Sequence, residues 1–341
     1  MPRGDEPRDP ERVLGVMGTF VLDRIVGLSR GDGPEERLGG IAYALAAAAA
    51  ALPEGWRLLP VARLGEDAAS DVRPWLADTG LDGSAVLEVP ETNNRVELRY
   101  RGRQDRTERL SGGVGSWSWD ELAPRVARCH ALLVNFISGH EMGLDDTRRL
   151  REDVSGPLYA DLHSLFLATE EDGRRVPRRL PRWREWVACF DAVQMNADEL
   201  DRMRGPMEVE AAVRSALDLG PALVVCTQGE RGAVAWSRTG ASRRFSGGRR
   251  RVGPGDGTVR RHQIAPRPVP APDPTGCGDV FGGTVCARLL AGDSVEEALA
   301  LATRLASVAA DTSGADRLPE VLERAVQDEM SHGPKEKGGE R

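Results

Sequence analysis

Apolar and polar positions along the chain follow two rhythms. Continuous apolar runs at Val13–Met17, Leu58–Leu64, Ala131–Ile137, Leu158–Leu162, Phe190–Met195 and Ala222–Thr227 have the length of strands buried on both faces. Between them lie segments that read as helices: Ile41–Leu52, Ala68–Asp78, Trp119–Arg128, Leu144–Val154 and Glu208–Leu219. Gly80 and Gly220 close two of these. Ile41–Leu52 is almost entirely apolar and rich in alanine, and a helix without a polar face is a buried one. Ser294-Val295-Glu296-Glu297 has capping-box spacing and starts a helix through about Asp311, and Pro319–Val326 reads as a short last helix. This alternation of strand and helix predicts an α/β fold with a mostly parallel central sheet and helices on both faces. Three further segments, Ala85–Val89, Arg95–Arg101 and Arg106–Leu110, alternate polar with apolar residues, as in a half-exposed sheet that covers a site.

The 341 residues suffice for one large α/β domain or two smaller ones. A net charge of −7 argues against general binding to nucleic acid or to a membrane surface. No apolar run reaches the roughly 20 residues that span a bilayer. Met1–Arg12 is charged and has no apolar stretch, so no secretory signal is evident. Five cysteines (Cys129, Cys189, Cys226, Cys277, Cys286) lack metal-ligand spacing and read as reduced thiols of a cytoplasmic protein. Residues 1–10 and 327–341 read as disordered tails around a domain of 11–326. Glu170–Arg184 reads as a solvated Arg- and Pro-rich loop, and Ser242–Thr258 as a mobile insertion. A Gly-x-x-x-x-Gly-Lys-Ser/Thr phosphate loop is absent, and Gly15 and Gly18 lack the third glycine of a dinucleotide fingerprint.

The densest chemistry lies in Asp273-Pro274-Thr275-Gly276-Cys277-Gly278-Asp279, followed by the small-residue run Val280–Leu290. A glycine-rich turn that opens into a helix aims backbone N–H groups and the positive end of the helix dipole at one place. An acid such as Asp279 repels a phosphate there, but it suits the removal of a proton from a hydroxyl that attacks a phosphoryl group. An Asp that merely caps a helix after a flexible turn accounts for these seven residues equally well. Asn196-Ala197-Asp198-Glu199, after a strand, offers hard oxygen ligands and equally a capped helix start.

These residues resemble the signatures of the PfkB (ribokinase-like) carbohydrate kinase family. The family's Asp-Thr-x-Gly-Ala-Gly-Asp is matched by Asp273, Thr275, Gly276, Gly278 and Asp279, with Pro274 in the Thr place and Cys277 in the Ala place. Cys277 enters that pattern through its backbone N–H. Further matches run from about Gly18 to about Gly314. The resemblance implies a ribokinase-like three-layer sandwich with a small β lid, formed by segments about 19–38 and 85–110. It implies transfer of the γ-phosphoryl group of ATP, with magnesium, to a hydroxyl of a small sugar or related polyol. Asp279 is then the general base, and the N–H groups of Gly276, Cys277 and Gly278 hold transition-state charge. Asn196 and Glu199 help place magnesium through water. Thr227, Gly229 and Gly232, in a turn similar to the family's Thr-x-Gly-x-x-Gly, lie against the nucleotide, as do Ser307 and Gly314. Asp23, Gly39 and Gly40 face the acceptor, and Asn93 and Arg95 are candidate acceptor contacts from the lid. Asp273 and Thr275 are candidates for a monovalent cation such as potassium, and a homodimer through the lid is implied. Two departures touch the site. Ala44 stands where the family has a sugar-binding Asn, with Tyr43 beside it, and His163 stands in the Asn place of the family's Asp-x-Asn. The missing Asn keeps a nucleoside or vitamin kinase of the same superfamily open, as well as a catalytically idle binding protein on this fold.

Overall fold

One strand, β1 (Arg12–Val26), runs through both the main sheet and the sheet of the lid. The computed structural model describes residues 11–26, 35–100, 106–247, 257–266, 273–312 and 314–331. The expected tail 1–10, the end of the second tail, the lid residues 27–34 and 101–105 and most of the expected insertion lie outside them. The other strands are β2 (Glu35–Gly40), β3 (Trp56–Gly65), β4 (Val86–Val89), β5 (Arg95–Tyr100), β6 (Arg106–Ser111), β7 (Ala131–Asn135), β8 (Leu158–Asp161), β9 (Leu167–Thr169), β10 (Arg175–Pro177), β11 (Ala192–Asn196), β12 (Leu223–Thr227), β13 (Ala233–Arg238) and β14 (Val259–Ile264). The helices are α1 (Ile41–Ala51), α2 (Ala69–Asp78), α3 (Trp119–Val126), α4 (Leu144–Asp153), α5 (Trp183–Val187), α6 (Ala197–Arg204), α7 (Val209–Asp218), α8 (Ala241–Ser246), α9 (Cys277–Ala291), α10 (Val295–Ala310) and α11 (Leu318–Ser331).

The main sheet has the order β14-β13-β12-β11-β8-β7-β1-β3-β4. It is parallel except for β13 and β14, which return antiparallel at one edge. Parallel strands covered on both faces carry continuous apolar runs, which is why the periodicity of the sequence is so legible here. One face is covered by α1, α2 and α8 to α11, whose Leu45, Val72, Phe245, Val285, Leu299 and Leu322 share one core. The other is covered by α3 to α7, with Leu122, Leu150, Trp186, Met203 and Val213 in a second core. The result is the expected three-layer α/β sandwich.

Helices α1 and α9 pack unusually close. A Cβ added at Gly283 would fall 2.5 Å from the Ala44 carbonyl oxygen, so only glycine on one side and alanine on the other allow the contact. This is the physical use of the alanine-rich stretch.

The lid departs from expectation in two ways. The first strand, expected to stop at Gly18, continues to Val26; from Phe20 it pairs antiparallel with β2, and from Leu22 parallel with β5. Gly18 is not a stop. It makes room, because a Cβ there would fall 2.1 Å from Ile41 Cγ2 and 2.8 Å from the Asn135 carbonyl. Val86–Val89, expected in the lid, is instead the edge of the main sheet, parallel to β3. The last helix also runs on to Ser331, beyond the expected end at Val326.

The Arg-rich segment 170–184 is not simply solvated. It contains the turn from β9 into β10, β10 itself and the start of α5, and it pins the lid. The Leu110 N–H donates to the Gly173 carbonyl at 2.8 Å. The Arg175 side chain is 2% exposed and pairs with Glu108 at 2.7 Å. Its nitrogens also donate to the carbonyls of Ile137 and Ser138, at 3.1 Å each. Removing one partner of a buried pair strands the other charge, at a cost of about 3–5 kcal/mol. Arg175→Leu is therefore expected to lower unfolding stability by about that amount and to speed amide exchange through β6. Urea melts with hydrogen exchange check this; a loss under about 1 kcal/mol would mean that the pair does not anchor the lid.

Candidate functional site

Strand order reverses at β1, whose neighbours in the main sheet are β3 and β7, and open parallel sheets gather their ligands at the carboxyl ends beside such a reversal. Asn135, Asp161, Asn196 and Thr227 are the last residues of β7, β8, β11 and β12 and line that edge. The first turn of α9 is fastened above them. The Asn135 Nδ2 donates to Asp279 Oδ1 at 2.7 Å. The Gln194 amide donates to Asp161 at 2.7 Å and to the Gly278 carbonyl at 2.9 Å, and its own oxygen accepts from the Tyr159 hydroxyl. Gly276 caps the helix at φ 76°, and a Cβ there would fall 2.3 Å from Tyr43 Cγ. Both facts demand glycine.

A helix start leaves its first N–H groups without partners inside the helix. Of the three N–H groups expected to act together, that of Cys277 leans on the Pro274 carbonyl at 3.3 Å. The Cys277 thiol points away, toward the Asp273 and Ala306 carbonyls at 3.7 and 3.5 Å. Burial, helped by Asp273 and Asp279, pushes it up to about 12, so it stays protonated. Asp273 accepts the Thr275 N–H at 3.0 Å and faces Arg37 at 3.9 Å. Those contacts close the turn with an ion pair at the place where a monovalent cation was expected of Asp273 and Thr275.

At the lid side, Asp23 is buried and stands opposite Arg37 in the β1–β2 register. A Cβ at Gly39 would fall 1.9 Å from Asp23 Oδ2, and one at Gly40 2.2 Å from the Thr19 carbonyl. The glycine pair thus lets β2 close on the carboxylate. Gly314, expected beside the nucleotide, lies against the Arg37 side chain, and Ser307 donates to the Thr303 carbonyl at 2.9 Å.

Asn93 and Arg95, the candidate acceptor contacts of the lid, both carry structural bonds. Asn93 is 0% exposed. Its oxygen accepts the Gly65 N–H at 3.1 Å, and its nitrogen donates to the Phe20 and Asn94 carbonyls, also at 3.1 Å. It stitches the lid hinge to β3. Arg95 is spent on Asp67 at 2.8 Å and Glu36 at 3.3 Å. Both residues lie where turn chemistry and site chemistry look alike in sequence.

On the other side, Asn196 and Glu199 form a reciprocal capping box at the start of α6. Glu199, buried, accepts from the Asn196 N–H at 2.7 Å and also meets His163 Nδ1. Burial works against charge on His163, but Glu199 and Asp161 outweigh it and hold the imidazolium up to about 9. No group of three His, Cys, Asp or Glu side chains able to hold a metal occurs among the described residues. With Glu199 so engaged, Asn196 and Glu199 suit a divalent ion carried by phosphates and reached through water, not a directly ligated one. Gly229 and Gly232, at φ 55° and 85°, make the turn between β12 and β13, with Thr227 half-buried before it.

Sequence reasoning passed over Asn135, Asp161 and Gln194 as site residues. The available signal was a polar residue closing an apolar strand, as in Ala-Leu-Leu-Val-Asn and Leu-Tyr-Ala-Asp. Reading the first of these runs on to Ile137 hid it.

Burial, then the charge of Asp279, lifts the Asp161 carboxyl from 3.8 to about 7. A folded pKa above the unfolded one means that the proton stabilises the fold below about pH 4, and that this contribution is lost as pH rises through about 7. Asp161→Asn, which cannot ionise, should gain on the wild type between those limits, by up to about 1.4 kcal/mol per pH unit. Urea midpoints at pH 5 and pH 8 measure this; a gap that does not change with pH would remove the raised pKa.

The comparisons with known proteins agree with this geometry. A model of the "pfkB family carbohydrate kinase" matches residues 24–321. A stretch of 161 residues is 26% identical to the ATP-dependent 6-phosphofructokinase of Thermoanaerobacterium thermosaccharolyticum, covering 47% of this chain and 41% of that protein. Among solved structures, a pyrophosphate-dependent kinase in the ribokinase family, in a sulfate complex, superposes with a TM-score of 0.71 at 19% identity, over 91% of this chain and 99% of that one. A putative ribokinase II of E. coli in complex with ATP and magnesium does so with a TM-score of 0.71 at 16% identity, over 94% of this chain and 100% of the other. At such identities the structural likeness speaks for the fold. The family match extends over most of the chain, from within β1 into α11: the chain belongs to the pfkB family of carbohydrate kinases.

Proposed function

We propose that the chain is an ATP-dependent phosphotransferase that moves the γ-phosphoryl group to a hydroxyl of a small sugar or related polyol. The observation that carries this reading is the placement of Asp279. Its carboxylate sits in the first turn of a glycine-opened helix and is oriented by the Asn135 amide at 2.7 Å, at the mouth of the sheet. In the proposed reaction Asp279 takes the proton of the attacking hydroxyl. The N–H groups of Gly276 and Gly278, with that of Cys277 once it leaves Pro274, hold the charge that spreads over the transferred group. Asp23 accepts hydrogen bonds from acceptor hydroxyls between the glycine pair and Arg37. Thr227, Gly229, Gly232 and Ser307 border the donor. Magnesium, bound with the donor, supplies counter-charge to its phosphates, with Asn196 and Glu199 reaching it through water. Pairing of two copies through the lid and a cytoplasmic setting rest on the family likeness alone.

The experiment is a panel of acceptors (D-ribose, myo-inositol, fructose 6-phosphate, inosine) with ATP or pyrophosphate as donor and magnesium present. Turnover of a sugar or polyol with ATP supports the reading. Turnover of inosine alone favours a nucleoside kinase. Nucleotide binding with no turnover of any acceptor favours an idle binding protein.

Asp279→Asn keeps the shape and the bond to Asn135, because the new amide can turn its oxygen to the same donor. Turnover is expected to fall about 10²–10⁴-fold, the span of general-base catalysis, with donor affinity held and the melting temperature nearly unchanged. A variant that turns over at the wild-type rate removes Asp279 from the chemistry. Cys277→Ala, by contrast, should keep most activity, because its thiol faces the Asp273 and Ala306 carbonyls. A loss beyond roughly a hundredfold, about 2.7 kcal/mol of barrier, would give the thiol a role.

A further inference from the structure

Two polar groups at the acceptor end of the crevice have no part in the scheme above. The first is the Tyr43 hydroxyl. Tyr43 lies in the first turn of α1 with its ring against Gly276, and the residue is only 3% exposed. No hydrogen bond to its hydroxyl is found among the described residues. Burial raises its pKa, and the charges of Asp23, Asp273 and Asp279 raise it further against the pull of Arg37, so the phenol stays protonated among carboxylates from β1 and the α9 turn.

The second is Asn135 Oδ1. Asn135 is 2% exposed, and this oxygen is buried without a partner. Turning the amide over gives no relief, because it would set the oxygen against the Asp279 carboxylate that Nδ2 now holds at 2.7 Å. A buried carbonyl oxygen left without a donor is costly, and such orphans in a native fold call for an explanation. A ligand hydroxyl that enters between the end of β7 and the first turn of α9 would supply the missing donor.

A third fact removes the rival anchor. Ala44, in the place where the family carries its sugar-binding Asn, is 0% exposed, and its backbone is pressed against α9 so closely that a Cβ at Gly283 would fall 2.5 Å from its carbonyl oxygen. No polar contact to an acceptor comes from that side chain.

Resting on the kinase reading above, we infer that Tyr43 and Asn135 together position the acceptor: Asn135 Oδ1 accepts from the hydroxyl next to the one that Asp279 deprotonates, and the Tyr43 hydroxyl bonds a further hydroxyl toward Asp23. The acceptor class is a polyol with vicinal hydroxyls. Asp279 and Asn135 Oδ1 are joined through one side-chain amide, whose nitrogen donates to the carboxylate at 2.7 Å.

The test uses the full chain, ATP with magnesium, and whichever of D-ribose, myo-inositol, fructose 6-phosphate and inosine the wild type phosphorylates fastest. Tyr43→Phe keeps the ring on Gly276 and deletes only the hydroxyl. It should raise the acceptor KM about tenfold, the worth of one hydrogen bond, with donor KM and melting temperature unchanged. Asn135→Ala should raise the acceptor KM and also lower kcat, because Asp279 loses its orienting N–H. A structural role for Tyr43 would leave both KM values alone. An unchanged acceptor KM in Tyr43→Phe overturns the inference even if Asn135→Ala is impaired or fails to fold, since Asn135 also holds Asp279. A wild type that phosphorylates no member of the panel overturns the kinase reading itself, and this inference with it, so the two failures are told apart.

Discussion

The approach of α9 to α1 is the constraint on which the rest of the molecule depends. Gly283 against the Ala44 backbone and Gly276 against the Tyr43 ring set the helix axis so near its neighbour that any larger residue would push it away. The same two contacts fix the height of the α9 start above the strand ends. From there Asn135 and Gln194 can reach Asp279 and Gly278 with single hydrogen bonds. A helix displaced by the thickness of a methyl group would lose both. Packing and site geometry are therefore one requirement, which is why small residues crowd both helices when larger ones would bury more apolar area.

The lid depends on a second sharing of parts. Because β1 serves both sheets, the lid cannot shift without bending a strand whose first half is held in the core by β3 and β7. Asn93 and Arg175 add fixed points on either side: one stitches the hinge to β3, and the other joins β6 to the ends of β7 and β10. Val21, Val96, Leu98 and Leu110 form only a small core of their own, so the lid takes much of its order from these polar ties. Residues that looked like acceptor contacts in sequence are in part the residues that hold the acceptor's cover in place.

Much of this was legible in the sequence because parallel strands sealed by helices must be continuously apolar, and capped helices must announce their starts. The runs at Leu58–Leu64 and Leu158–Leu162 and the boxes at Asn196 and Ser294 all reappear with ends moved by a residue or two. What was hidden has common causes. Gly18 reads as a terminus, but its role is clearance from another helix, and only the packed structure shows which. The alternation at Val86–Val89 describes half-exposure, and a sheet edge is as half-exposed as a lid. Asn93 sits in a turn-like sequence although its side chain is fully buried, because its partners, Gly65 and Phe20, are distant in the chain. Asn135 and Asp161 come together only through strand register, for which single-chain periodicity carries no signal.

The electrostatics of the crevice follow from the same crowding. Four carboxylates, Asp23, Asp161, Asp273 and Asp279, converge from β1, β8 and the α9 turn, and they are not equally charged. Asp273 is matched by Arg37 and a backbone N–H. Asp161, sealed beneath Asp279, is lifted to about 7. Holding a proton there relieves the repulsion between Asp161 and Asp279. On the other side Glu199 holds the proton on His163 against burial. Charge thus changes along the strand ends, from the Asp23 carboxylate at the lid to the His163 imidazolium beside Glu199. That polarity suits phosphoryl transfer from an anionic donor to a hydroxylated acceptor better than it suits either ligand alone.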